Sequence, residues 1–429
     1  MAPKRRKGTL PVSFHTLLQT LYITTRLYGQ NGLAVVGQAC AFGLMFSLFP
    51  IIFLVLSLAL HLVNGYTPVV ENLYSDVEQF LSQEQFTGLV SAVMSVKTIG
   101  LAEVIAGIGI FWFARRLFFN MMSGYNKIFK TRKARNVWTS SLWGMLLEAL
   151  FIILCTVILV ALVMIRSITG VLDMTKLFPD VLTFMDSWFR PLVTSYLPRS
   201  LLFLVIMFSY RYSPGTKPSY KLCAWTSFCT VIAFWGFQIL FTVFTNLSRY
   251  NLVYGVVANV IVFLLEMVTF FYIYFFMAQY IFVYQFFNEL LLAELYLLPS
   301  AEEKKGMASV RRWLFYHDAW LTTTEHTVEV SARQEIYVNG QEDNGSLYYV
   351  ARGEVIIESS NGYYVEQGKG TFFGEVSAIL ERPREMTVIA KTDVTLVRID
   401  RTMFVKILES DNLVTRKLLS KMSRAFDNV

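Results

Sequence analysis

The sequence predicts an all-α membrane domain of six transmembrane helices, followed by a soluble β-roll of jelly-roll type with flanking helices. Three observations predict it. Apolar stretches of about 20 residues, the length a helix needs to cross a hydrocarbon core of about 30 Å, recur through the first two thirds of the chain. Charged residues are only 16% of the 429, against about 25% in a soluble protein, and the deficit is concentrated in that same part. From about His326 onward the pattern changes to short β-type runs, several alternating apolar and polar, punctuated by glycine.

Residues 1–32 form a cytoplasmic N-terminus. It opens on Lys4-Arg5-Arg6-Lys7 and has no signal-peptide core. Leu17 to Tyr28 mixes apolar and polar residues at helical spacing and reads as an interfacial helix leading into the membrane. Within residues 33–289 the six spans fall at about Ala39–Val63, Ile99–Phe119, Leu142–Ile165, Leu192–Tyr212, Leu222–Phe244 and Val256–Phe282. The dense aromatics from Phe270 to Phe287 read as lipid-facing and interfacial side chains. Residues 290–316 are a linker: Asn288–Leu298 is expected to continue the sixth helix as an amphipathic segment ended by Pro299, and Val310–Trp320 to form a short docking helix. Residues 317–429 are the soluble domain, which closes on one or two helices between Met403 and Phe426.

Loop charge orients the spans. The segment from Asn64 to Val96 has no Lys or Arg and carries Glu71, Asp76, Glu78 and Glu84. Arg115, Arg116, Lys127, Lys130, Arg132, Lys133 and Arg135 follow the second span, Arg211, Lys217 and Lys221 the fourth, and Lys304, Lys305, Arg311 and Arg312 the sixth. The positive-inside rule places these basic loops and both termini in the cytoplasm, and an even span count agrees with both ends lying on one side. The formal net charge of +7 therefore reads as membrane topology, and nucleic acid is not an expected partner.

Three residues inside the spans carry a functional reading beside a structural one. Pro50 removes a backbone donor in the first span and makes either a packing kink or a gating hinge. Glu266 and Arg199 are costly in hydrocarbon. They line a polar pathway or a proton-coupled site, or else make interhelical bonds, Glu266 with Arg199, Asn259 or Gln238. Glu103 and Glu148 are further acidic residues in spans. Cys40, Cys155, Cys223 and Cys229 lie in or near apolar runs without zinc-type spacing and read as small buried residues. His15, His61, His317 and His326 are scattered. No catalytic residue and no metal are expected.

The segments AFGLMFSLFP (Ala41–Pro50), WFARRLFFNMMSGYNKIF (Trp112–Phe129), YRYSP (Tyr210–Pro214) and LVYG (Leu252–Gly255) resemble the YihY/BrkB family of bacterial inner-membrane proteins, over about Leu18 to Glu289. The resemblance implies six membrane helices and a bacterial inner-membrane location, with links to virulence and to envelope lipid handling. Part of that family once carried a ribonuclease label, which the residues here do not support.

In the tail, FGEVSAILERPREMTV (Phe373–Val388) places Glu375 and Arg384 nine residues apart. A guanidinium pairs bidentately with phosphate, and a carboxylate accepts from a sugar hydroxyl. A turn at Gly374 and a helix start near Val376 would present backbone N–H groups to the same anion. With GQEDNGSLYYVARGEV as entry hairpins, this resembles the phosphate-binding cassette of cyclic-nucleotide-binding domains. The resemblance implies cAMP or cGMP as ligand, with Glu375 on the ribose 2′-OH, Arg384 on the cyclic phosphate, Gly374, Val376 and Ser377 around them, and Met386 or the terminal helix over the base. The chain departs from the family at Glu385, where a small or hydroxyl residue is usual. Its charge would repel the phosphate by roughly 1–4 kcal/mol at a few Å unless it turns outward or pairs with Arg382.

The expected function is a transporter of lipid or an envelope metabolite regulated by the tail. The alternatives are a scaffold whose degenerate tail binds protein and a ligand-gated channel. Expected partners are the lipid bilayer, a cyclic nucleotide and further copies of the chain.

Overall fold

The computed structural model describes residues 14–46, 116–117, 119–129, 197–244, 247–298, 307–315, 327–342, 345–359, 362–410 and 412–427. The chain divides into two compact units. One is Thr25–Phe282; the other joins the N-terminal segment up to Thr24 with Val283–Val429.

The first unit is helical. Its described parts are the second half of α1 (Phe14–Gln30), helical turns over Leu33–Phe46 and 119–129, and the helices α2 (Leu197–Tyr212), α3 (Tyr220–Phe244) and α4 (Leu247–Gln285). Two stretches among the described residues are long and apolar enough to cross a membrane, Tyr220–Val243 and Ile261–Gln285. The expected second span up to residue 115, the third span, Pro50, Glu103, Glu148 and Cys155 lie outside the described residues. The sixth span was expected from Val256, but its helix starts at Leu247 and runs 39 residues. At 1.5 Å per residue that is about 58 Å, well beyond the hydrocarbon thickness.

Helix α3 is polar inside and apolar outside. Cys223, Thr226, Ser227 and Thr230 are buried, whereas Trp225, Phe228, Ile232, Trp235, Ile239 and Val243 form an exposed stripe at steps of three and four. The threonines return their hydroxyls to the backbone one turn earlier, Thr226 to Leu222 O and Thr230 to Thr226 O, both at 2.8 Å. An exposed stripe of this size is costly in water and costs nothing in lipid.

The aromatics of α4 divide, which corrects the sequence reading in part: Phe270, Tyr272, Phe276 and Tyr280 are half-buried and Tyr284 is exposed, but one face belongs to the core. Phe271, Tyr274, Phe275, Ala278, Gln279 and Phe282 are all buried, at the i, i+3, i+4, i+7, i+8, i+11 spacing of one helix face. Gly124, on the 119–129 helix, lets that face come close: a β-carbon there would lie 2.4 Å from a ring atom of Phe275. Tyr125 meets Phe275 edge-on, its hydroxyl 2.5 Å from that of Tyr274 and 3.2 Å from Ser209 Oγ, which also bonds Tyr274. Tyr210 donates to the Tyr274 carbonyl at 2.9 Å. Asn31 donates to Gln279 at 3.0 Å and Gln38 to the Tyr272 hydroxyl at 2.7 Å. The buried hydroxyls of Tyr125, Ser209, Tyr210 and Tyr274 are thus paired between helices, as a low-dielectric interior favours, whereas Ser227 Oγ and Gln279 Nε2 are buried without a partner among the described residues.

The second unit is built on a sandwich of two antiparallel four-stranded sheets. The strands are β1 (Thr327–Val330), β2 (Glu335–Tyr337), β3 (Ser346–Arg352), β4 (Glu354–Ser359), β5 (Tyr364–Gly368), β6 (Phe372–Phe373), β7 (Met386–Ala390) and β8 (Val394–Asp400). Their orders are β1-β8-β3-β6 and β2-β7-β4-β5. Tyr337, Tyr348, Val350, Val355, Phe373, Val388, Ala390, Val394 and Leu396 fill the space between the sheets. Strand β6 has only two residues, too few for an alternation signal, and was not expected. It is set by rings: Phe372 lies 4.7 Å from Tyr349 and Phe373 stacks 5.5 Å from Tyr348.

The helices of this unit are α5 (Phe287–Tyr296), α6 (Met307–Phe315), α7 (Glu375–Leu380), α8 (Arg401–Ser410) and α9 (Asn412–Asp427). The linker departs from expectation. The chain leaves helical geometry at Phe286 (φ −117°, ψ 29°), so α5 is a separate helix from α4. It is not amphipathic. Phe287 and every residue from Leu290 to Tyr296 are buried, the pattern of a core helix. It ends at Tyr296, ahead of Pro299, with the Leu297 N–H closing on Ala293 O. Glu294, fully buried, receives Arg311 Nε at 2.9 Å and Nη2 at 2.5 Å on one carboxylate oxygen, which ties α5 to α6. The first half of α1 also packs within this unit by one face, while Phe14, Leu17 and Leu21 are exposed on the other. Gln19 donates to Leu314 O at 2.8 Å, and Tyr22 meets Phe315 edge-on at 5.4 Å.

Candidate nucleotide-binding site

The site begins at Gly374. Its φ of +80° belongs to the left-handed region, which glycine enters without a β-carbon clash. A β-carbon there would also stand 2.6 Å from a terminal nitrogen of Arg384. The turn hands the chain from β6 to α7, so Glu375 is the first helical residue and Val376 and Ser377 lie in the first turn. Arg384 stands just ahead of β7. Its backbone is pinned on both sides: its N–H donates to Gln341 O at 2.9 Å, and its carbonyl accepts from Gly340 at 2.7 Å.

Both charged side chains are engaged inside the protein. Arg384 is 3% exposed. Its Nη2 donates to Ser346 O at 2.6 Å and its Nη1 to Gly374 O at 3.2 Å, while its central carbon lies 4.5 Å from the Tyr337 ring centre. A cation over an aromatic face is favourable there. Glu375 is also buried, and its Oε1 receives Lys421 Nζ of α9 at 2.6 Å. Lys417, one turn earlier, donates to Tyr296 O at 2.7 Å and Leu298 O at 3.3 Å. Both ammonium groups also lie over the Tyr296 ring, at 5.4 and 5.3 Å. Burial, then the neighbouring Lys421, pushes the Lys417 pKa down. Burial, then the Glu375 charge, pushes the Tyr296 phenol up.

The structure brings Glu375 and Arg384 together around Gly374. Glu385 is exposed and forms no ion pair with Arg382. Met386 is exposed at the start of β7. Sequence reasoning missed Tyr337, Ser346 and Lys421, the groups that hold the two charges. In the helical unit, Arg199 lies over Trp235, 5.4 Å from its ring centre. It does not pair with Glu266, whose polar interaction is with Gln238 of α3. Among the described residues there is no cluster of three or more potential metal ligands.

Residues 24–289 match the family described as Virulence factor BrkB, and residues 327–411 match the cyclic nucleotide-binding domain. A cAMP-dependent protein kinase regulatory subunit of Eremothecium gossypii is 28% identical over 131 residues, which are 29% of this chain and 29% of that protein's length. Among solved structures, the catabolite activator protein of Thermus thermophilus is 23% identical, covering 24% of this chain and 50% of that one, at a TM-score of 0.22. The EAL enzyme Bd1971 in its cAMP-bound form is 24% identical over 24% of this chain and 29% of its own, at a TM-score of 0.20.

Proposed function

The chain belongs to the virulence factor BrkB family and carries a cyclic nucleotide-binding domain behind its membrane-family helices; from that premise we propose that it is a six-span bacterial inner-membrane transporter regulated by cAMP or cGMP. Both termini lie in the cytoplasm. The cargo is lipid or an envelope metabolite, moved without chemical conversion. Lipid, or further copies of the chain, cover the exposed stripe of α3. The observation that carries the regulatory part is the convergence of a buried carboxylate, Glu375, and a buried guanidinium, Arg384, on one glycine turn. The related kinase regulatory subunit supports cAMP as a ligand to try first.

The test is calorimetric titration of cAMP and cGMP into the full chain in lipid nanodiscs, paired with lipid and solute flux in liposomes. Saturable binding of either nucleotide, with flux that responds to it, is expected. Absence of binding at millimolar nucleotide would overturn the regulatory reading. Ion flux would replace the transporter with a channel. One observation favours a second reading, in which the tail is a protein-binding module: Arg384 and Glu375 already have internal partners.

A further inference from the structure

We propose that Lys421 is a built-in competitor for the nucleotide site, a latch on Glu375 that the ligand must open. The inference rests on the nucleotide reading above and adds its regulation. In the ion pair the carboxylate is 7% exposed and the lysine 42%. Glu375 is therefore fixed at the start of α7, and Lys421 is the partner that can leave. A ribose hydroxyl seeking that carboxylate finds its Oε1 already held by the Lys421 ammonium at 2.6 Å. The lysine has somewhere to go, because its side chain already reaches solvent.

The latch has a second end. Lys417 and Lys421 are four residues apart on α9, so they share one helix face. Lys417 holds the last carbonyl of α5, at Tyr296, and that of Leu298 just beyond it, where a cation suits the helix terminus. Tyr296 packs its ring against Phe372, at 5.1 Å, and Phe404, at 5.7 Å. Phe372 stands two residues before Gly374. One helix thus grips the site through Lys421 and the end of α5 through Lys417. Helix α5 follows α4 in the chain with Phe286 alone between them. Ligand that displaces Lys421 removes one of the two grips on α9 and favours a looser arrangement of it. This is the differential affinity for two states that regulation requires.

The experiment compares wild type, Lys421→Met and Lys421→Gln as full chains in nanodiscs, with Arg384→Ala as a control. cAMP and cGMP binding are read by calorimetry, and backbone hydrogen exchange over 287–298 and 412–427 with and without nucleotide. A thermal melt certifies that each variant is folded, and the glutamine variant serves if the methionine variant is not. Both Lys421 variants are expected to bind roughly two- to fivefold tighter, the range of a partly exposed ion pair. Their α9 should exchange faster without ligand, and wild type should reach that state only with nucleotide. Unchanged or weaker binding in the Lys421 variants, with Arg384→Ala still impaired, overturns the latch and leaves the nucleotide reading standing. Failure of every form to bind either nucleotide overturns both.

Discussion

At the residue scale, Arg384 carries two loads at once. It is the one guanidinium that the cassette spacing assigns to phosphate, and it is also a buried support for the carbonyls of Ser346 and Gly374. A hydrogen bond to a charged group contributes about 1.5–3 kcal/mol. Arg384→Ala should therefore weaken nucleotide binding by roughly 10- to 100-fold and lower the melting temperature as well. Arg384→Lys should not restore either, because a point charge cannot reproduce the planar fork. Calorimetry and a thermal melt on the same preparation separate the two effects. Glu385 acts in the opposite direction. It is exposed, so its repulsion of a phosphate is screened by salt. Glu385→Ala should tighten binding at low ionic strength and have little effect at high, a difference that titration at two salt concentrations reads directly. The spacing of Glu375 and Arg384 was legible because it is local. The outward turn of Glu385 was one of two options that sequence left open.

At the element scale, the ion pair between α5 and α6 differs from those on the sheet surface. Glu294 is fully buried and Arg311 half-buried. Removing one partner of a buried pair strands the other charge, at about 3–5 kcal/mol. Arg311→Ala should lower the stability of the tail by that order, read by denaturant unfolding in detergent. Lys391, which bridges Glu354 and Glu366 on the exposed face, should tolerate Lys391→Ala with little change. In the helical unit, Glu266→Leu deletes the polar interaction of Glu266 with Gln238 of α3. Even a full interhelical hydrogen bond averages about 0.6 kcal/mol and reaches about 1.7 in a membrane protein, so a small drop in melting temperature with normal membrane insertion is expected. The break at Phe286 was not legible: the sequence around it holds neither Gly nor Pro. The packing face of α4 was legible in the 3.6 spacing of its aromatics, but their abundance suggested lipid contact.

At the scale of the whole molecule, two kinds of solvent shape one chain. The sandwich buries its aromatics and aliphatics between sheets, as a protein in water does. Helix α3 turns its tryptophans and isoleucines out and its threonines in. The proposed topology puts the acidic Asn64–Val96 segment outside the cell. A cysteine placed at Phe80 should react with a membrane-impermeant maleimide added to intact spheroplasts. Protection there, with labelling only in inverted vesicles, would reverse the orientation.

By itself the sequence determined the order of the parts and their solvent. Span length, charge asymmetry and the change from helical to two-residue period are properties of neighbours along the chain, and physics acts on them locally. It also marked Glu375 and Arg384, whose separation fits a single turn of chain. The tertiary structure decided what those charges touch. Lys421 is 46 positions from Glu375 and Ser346 is 38 from Arg384, so no local pattern announces either contact. They follow from where the sandwich places the end of β6 against β3 and the closing helix, since a buried charge must find a partner wherever the fold brings one near.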